Sequence, residues 1–206
     1  MRLHRAIALA VVPLALLFSL SAGQSPDDAS CAQTAWGSAV ADAIRAHYSA
    51  DAAFIDAGEL ATITSDRVTN DDFKRASISS LAVVLTDVTG DVLVKSVAFG
   101  LKYKPRKSNG FLQVSGLTVK AAVDAGGRAT VVEVLISGKE VNPNATYRVA
   151  TTKFLAGDGM SIGTPRAFRT VRESETDLAS FLPAYLETLA KLPDPAGRYV
   201  FTKTGR

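Results

Sequence analysis

The stretch Tyr147-Arg148-Val149-Ala150-Thr151-Thr152-Lys153-Phe154-Leu155-Ala156-Gly157-Asp158-Gly159 sets an aromatic ring and a carboxylate close together behind a strand-like run. A ring face stacks a nucleobase and a carboxylate accepts hydrogen bonds from ribose hydroxyls, so the pair suits a nucleoside. On this reading a strand delivers Phe154 to its end, and Gly157 and Gly159 let the backbone turn tightly so that Asp158 faces a pocket. The same residues also fit a core phenylalanine followed by a turn aspartate.

Other patterns carry less. Gly159-Met160-Ser161-Ile162-Gly163 matches the Gly-x-Ser-x-Gly nucleophile elbow, but His47 lies far upstream of the serine and Thr164-Pro165 follows where that turn needs a helix. Gly157-Asp158-Gly159 hints at a dinucleotide loop, yet the third glycine is misplaced and no strand-helix-strand unit surrounds it. No cofactor site emerges. Asp56, Glu59, Asp158 and Glu175 offer carboxylates of the kind used in glycoside chemistry, without a spacing that sets two of them across a cleft. Asn144-Ala145-Thr146 is a glycosylation acceptor sequence. Lys102-Tyr103-Lys104-Pro105-Arg106-Lys107-Ser108-Asn109-Gly110 is basic and turn-rich, which fits either a phosphate-gripping loop or a hydrated connection between a helix and a strand.

Counting narrows the chemistry. The chain has 206 residues, 47% hydrophobic and 21% charged, which suits one globular domain. Arg2, His4 and Arg5 followed by the apolar run Ala6 to Leu20 and the small residues Ser21-Ala22-Gly23 read as a secretory signal over residues 1–23. The destination is secreted or periplasmic, with no membrane association after cleavage. Loss of Arg2 and Arg5 takes the formal charge of +3 close to neutrality, and nucleic-acid binding has no compositional support. Cys31 is the single cysteine, so no intrachain disulfide forms. Asp27, Asp28 and other polar residues separate it from the apolar run, which argues against lipidation there. His47 is the one histidine left after cleavage, so a zinc or binuclear metal centre built on several imidazoles is excluded. It reads as a partly exposed residue at a helix end rather than a base.

The elements follow from periodicity. Residues 24–33 read as a flexible mature N-terminus and 34–206 as the folded domain. Trp36, Val40, Ala43, Ile44 and Tyr48 recur at helical spacing from Thr34 to Tyr48, with Asp42 and Arg45 toward solvent. Ala53-Phe54-Ile55 is a short buried strand ended by Asp56-Ala57-Gly58. Thr69 caps a short helix through Phe73 and Arg75. Ser80 to Val88 is a strand, and Asp91 to Leu101 a helix with Val92, Val94, Val97, Ala98 and Leu101 inward. Phe111 to Val114, Leu117 to Val123, Ala129 to Ile136 and Tyr147 to Phe154 form an antiparallel hairpin meander. Leu178 to Leu192 is a last helix with Pro183 near its first turn, and the tail to Phe201 is extended. The fold class is α+β, a single domain with an antiparallel sheet flanked by helices.

Taken together, Phe111-Leu112-Gln113-Val114-Ser115-Gly116, Tyr147-Arg148-Val149-Ala150 and Phe154-Leu155-Ala156-Gly157-Asp158-Gly159 resemble the C-terminal domain of the 5′-nucleotidase family. Trp36-Gly37 with Ala41 to Arg45, Leu85 to Gly90 and Gly197-Arg198 add to the match, which spans about residues 34 to 200. The resemblance implies an exported domain that binds base and ribose, while a separate metallophosphatase domain with two metal ions hydrolyses the nucleotide. This chain shows no counterpart of that metal-binding domain, in keeping with His47 as its one histidine after cleavage.

Carried over position by position, Phe154 falls at a stacking aromatic and Asp158 at the ribose-binding aspartate, though the family's loop between them is two residues longer. The family's Asn-Gly-Gly-Gly-Ile-Arg element stands here as Asp56-Ala57-Gly58-Glu59-Leu60-Ala61, which keeps Asp56 and Gly58 at the substrate and loses the arginine. The second stacking ring falls near Ile78-Ser79, where no aromatic stands. The expectation is a nucleoside- or nucleotide-binding module linked to nucleotide catabolism, holding no metal and inert alone. Its alternatives are a subunit that docks with a separately encoded metallophosphatase and a structural envelope protein whose pocket has decayed.

Overall fold

The structure, a computed structural model, describes residues 28–60, 63, 68, 81–158, 170–171 and 175–204. The leader at 1–23, the helix expected at 69–75, Ala61, Ile78-Ser79 and the Gly159 to Gly163 motif lie outside the described residues.

Helix α1 (Ala35–His47) begins at Thr34, whose side chain accepts from the Gly37 amide, and buries Trp36, Val40, Ala43 and Ile44 as the helical spacing requires. Strand β1 (Ala52–Asp56) follows and is buried at every residue. The strands β2 (Ala82–Thr89), β3 (Leu112–Ser115) and β7 (Thr146–Thr152), with the short β8 (Thr170–Val171) and β9 (Thr176–Asp177), complete its sheet. The order is β3-β1-β7-β2-β8, with β9 also on β2; β1 runs antiparallel to β3 but parallel to β7. A second sheet holds β4 (Leu117–Val123), β5 (Ala129–Ile136), β6 (Lys139–Glu140) and β10 (Tyr199–Lys203) in the order β10-β4-β5-β6.

The α+β class stands, and the hairpin meander is β4-β5-β6. The strands flanking it in sequence, β3 and β7, belong instead to the first sheet, and the tail pairs parallel to β4. Only Gly116 separates β3 from β4. Its φ is +73°, and a Cβ there would come within 2.4 Å of the Asp51 carbonyl oxygen, so the crossing from one sheet to the other demands glycine.

Alternation along β1 divides the core. Ala52 and Phe54 face a cluster with Val84, Val114, Val149 and helix α2 (Gly90–Leu101), while Ala53 and Ile55 face α1 together with Val83, Leu85 and Ala150. The α2 face expected from the sequence needs correction. Leu93, Ser96, Val97, Gly100 and Leu101 are buried, Val92 and Val94 half-buried and Ala98 exposed, because the buried residues follow i, i+3, i+4, i+7, i+8 spacing, whereas Val92 and Val94 lie about 200° apart around the helix and cannot share one face. The last helix is shorter than expected. A 3₁₀ turn (Leu178–Ser180) precedes α4 (Leu182–Glu187), since Phe181 leaves helical geometry at φ −130° and Pro183 can enter only the first turn.

Residues 28–33, expected to be flexible, are strapped to β3. The buried Gln113 side chain accepts from the Thr34 amide at 2.8 Å and donates to the carbonyls of Ala29 and Ala32, while Gln33 bonds both the amide and the carbonyl of Val114 as a neighbouring strand would. Asp42 and Arg45 do not point to open solvent. Asp42 receives two guanidinium bonds from Arg198, each side chain over four-fifths buried, and both Asp42 and Arg45 bond the Ser115 hydroxyl. Arg198 also donates to the Val114 carbonyl, tying the tail to α1 and β3. Removing one partner of such a pair strands the other charge. Arg198→Ala is expected to lower unfolding stability by about 2–4 kcal/mol, seen as a lower urea midpoint at unchanged slope; an unchanged midpoint would contradict the tie.

Candidate functional site: a cleft with an acidic end and an aromatic wall

The cleft grows from the end of β1. There Asp56 is almost wholly buried, and its carboxylate accepts from the Glu59 amide at 3.0 Å, capping a single 3₁₀ turn (Ala57–Glu59). Backbone amides of Ala57 and Gly58 donate to the carbonyls of Phe111 and Asn109, both at 2.9 Å, pinning the turn to the loop before β3. A Cβ at Gly58 would lie 3.0 Å from the Asn109 Cβ, so the two segments approach closely only because the residue is glycine.

Glu59 then reaches across to β7. Its carboxylate accepts from the Thr152 hydroxyl at 2.8 Å, and the same hydroxyl accepts from the Leu155 amide at 3.3 Å, starting the short helix α3 (Lys153–Asp158). Leu155 and Ala156 turn into the core, which leaves Phe154 on the outside with 49% of its surface exposed. The strand therefore ends two residues earlier than expected, and Gly157 lies in the helix rather than in a tight turn, because the Thr152 hydroxyl caps a helical start. Asp158 closes the same helix; its side chain lies outside the described residues.

Phe154, Asp56, Gly58 and Glu59 line one cleft of about 540 Å³ with Phe99, Tyr103, Ser108, Asn109 and Gly110. Its volume falls within the range of small-molecule sites. Three rings form an apolar wall, while the Asp56–Glu59 turn and the Ser108–Asn109 loop supply polar groups at one end. Such a site offers a planar ring a stacking surface and offers hydroxyl or amino groups an acceptor.

Burial pushes the Glu59 carboxyl up to about 7, with the neighbouring Asp56 charge adding to the rise and the Thr152 hydrogen bond opposing it. The group is thus poised to change between donor and acceptor near neutral pH. Among the described residues no three His, Cys, Asp or Glu side chains gather as a metal-binding group. His47 is exposed and stacks on Phe181 at 4.1 Å, and Glu175 pairs with Lys153 at 2.6 Å, so neither joins the cleft.

Phe154, Asp56 and Gly58 therefore share one concavity. Phe99, Tyr103 and Asn109 are site residues that the sequence does not single out. Tyr103 and Asn109 belong to the basic, turn-rich stretch that fits a connection equally well, and Phe99 lies off the helix face expected to point inward. Glu59 stands in the sequence as one of several carboxylates, since spacing does not reveal that β7 brings Thr152 against it.

Two sheets, with α1 on the first and α2 packed between the first sheet and β5 of the second, and a cleft of rings and carboxylates at the ends of β1 and β7 define an α+β domain. The model of the 5′-nucleotidase, C-terminal domain, matches residues 18–164, and the chain belongs to that family. Among solved structures, a 5′-nucleotidase precursor from Thermus thermophilus is similar at 19% identity and TM-score 0.66, covering 86% of this chain and 37% of that one. The NAD nucleotidase of Haemophilus influenzae matches at 14% identity and TM-score 0.61, covering 84% and 33%. A putative 5′-nucleotidase from Staphylococcus aureus, in complex with alpha-ketoglutarate, matches at 14% identity and TM-score 0.61, covering 85% and 38%. The chain thus spans about a third of the length of these structures. No curated protein matches it.

The raised Glu59 carboxyl has a measurable consequence. Below about 4.5, its ordinary value, the group is protonated whether folded or not; between there and about 7 only the folded chain keeps the proton, so the stability it supplies is lost as pH rises through that window. Chemical denaturation of the wild type is expected to lose about 1–3 kcal/mol more than Glu59→Gln across this interval, and parallel pH profiles would contradict the assignment.

Proposed function

We propose that this chain is an exported nucleoside- or nucleotide-binding module of nucleotide catabolism that does not hydrolyse its ligand alone. The observation that carries the reading is the half-exposed Phe154 ring in one cleft with the Asp56–Glu59 turn. The base stacks on Phe154 and the neighbouring rings, Gly58 lets the acid turn pack against the Asn109 loop that lines the cleft with it, and Asp158, one helical turn beyond Phe154, accepts from the ribose hydroxyls. Membership of the 5′-nucleotidase C-terminal domain family supports a nucleotide-related ligand. Its basic, apolar leader at residues 1–23 supports export, and among the described residues no helix is long and apolar enough to cross a membrane.

In this reading the hydrolytic step belongs to a metallophosphatase part supplied separately, and this chain completes its substrate pocket. The solved structures that share the fold are more than twice as long as the part this chain covers, which leaves room in them for such a part.

Calorimetric titration with adenosine and AMP tests the binding claim. Saturable heat is expected, and Phe154→Ala is expected to weaken affinity by about 1–3 kcal/mol, roughly 5- to 150-fold. Absence of heat at millimolar ligand would favour a structural protein with a decayed pocket. A phosphate-release assay with AMP is expected to stay at the blank level for the purified chain and to rise above the partner's own rate when a metallophosphatase is added.

A further inference from the structure

A second concavity, of about 880 Å³, adjoins the cleft and shares Phe99 and Tyr103 with it. One wall is the end of α2 and the loop after it; the other is the turn between β4 and β5. Its lining carries Lys95, Lys102, Lys104, Arg106 and Arg128 against one carboxylate, Asp124.

These cations differ in their engagements. Lys95 pairs with Asp91 on its own helix, and Lys104 donates to the Cys31 carbonyl and lies over the Phe201 ring. Asp124 is held by its own turn, accepting from the Arg128 amide at 2.9 Å. Lys102 and Arg106 flank Tyr103, with their charged ends 5.5 and 5.9 Å from its ring centre, and Arg128 faces them across the groove. All three are exposed. Elsewhere Arg198, Lys107, Lys120 and Lys153 each sit on a carboxylate. In a chain of formal charge +3, three cations around one concavity, none of them in an ion pair among the described residues, are a local concentration of charge.

We propose that this groove, with Lys102, Arg106 and Arg128, binds the phosphate chain of a nucleoside di- or triphosphate whose base and sugar occupy the adjoining cleft. The inference rests on the nucleoside reading of that cleft and adds the class and direction of the ligand. Asp56 and Glu59 repel phosphate at one end and accept from hydroxyl and amino groups. Lys102, Arg106 and Arg128 attract it at the other, and guanidinium groups fork onto phosphate oxygens. Tyr103, common to both concavities, marks the junction. A single phosphate would leave most of the groove unfilled, whereas two or three place several anionic oxygens among separated cations.

The test is calorimetry on the full chain at low salt without divalent metal, using adenosine, ADP, ATP and inorganic tripolyphosphate. Affinity is expected to rise from adenosine to ATP by on the order of ten- to a hundredfold, to lose that gain as salt increases, and to lose it in the double variant Lys102→Gln, Arg106→Gln. Tripolyphosphate alone is expected to bind the wild type and not the variant. Adenosine binding with no gain from added phosphates, or a gain that survives in the variant, would overturn the inference and leave the nucleoside reading intact. Tripolyphosphate binding with no adenosine binding would overturn it through failure of that reading, because the groove would then hold phosphate without a nucleoside beside it.

Discussion

Burial of β1 on both faces is the constraint from which the site follows. Ala52–Asp56 has a strand on each side, α1 beneath and the α2 layer above, so none of its backbone groups can be left to water and its side chains must alternate between two cores. A strand held this firmly delivers its last residue to a fixed place. That residue is Asp56, and its carboxylate shapes the next turn by capping it rather than by meeting solvent. Glu59 is thereby fixed against Thr152, and Thr152 in turn starts the helix that turns Phe154 outward.

The cleft is thus the product of two hydroxyl- and carboxylate-mediated caps meeting at the ends of adjacent parallel strands. Ends of neighbouring parallel strands commonly leave a crevice, because the chain departs from them in different directions. Here the crevice has a polarity: carboxylates at one end, rings along the wall and cations beyond them. The partly desolvated Glu59 carboxyl costs folding stability above neutral pH, and a perturbed acid retained in a concavity is a common feature of binding sites.

Much of this is legible in the residues. Helical spacing in Trp36, Val40, Ala43 and Ile44 marks α1, and the run Ala53-Phe54-Ile55 marks the central strand, because in both cases burial follows local periodicity. Partition of the strands between two sheets is not legible. Gly116 falls in the break between two strands of one expected meander, and only the pairing of β3 and β4 in different sheets, with the close approach of Gly116 to Asp51, shows that the chain changes sheets there. The inward face of α2 is only partly legible, since nearly every residue from Val92 to Leu101 is apolar or small and the stripe through Leu93, Ser96, Val97, Gly100 and Leu101 includes a serine and a glycine. Phe154 can be singled out from its neighbourhood in sequence, whereas Glu59, Tyr103 and Asn109 join it through contacts between residues far apart in the chain, which no spacing rule contains.

Whether the acid turn and the Phe154 helix form one nucleoside cradle is decided by amide NMR during titration with adenosine. Saturable shifts are predicted to concentrate in three separated segments, residues 56–59, 108–110 and 153–156, with a common midpoint. Saturable shifts confined to the outer face of β5 and β6, or midpoints that differ between the three segments, would contradict it.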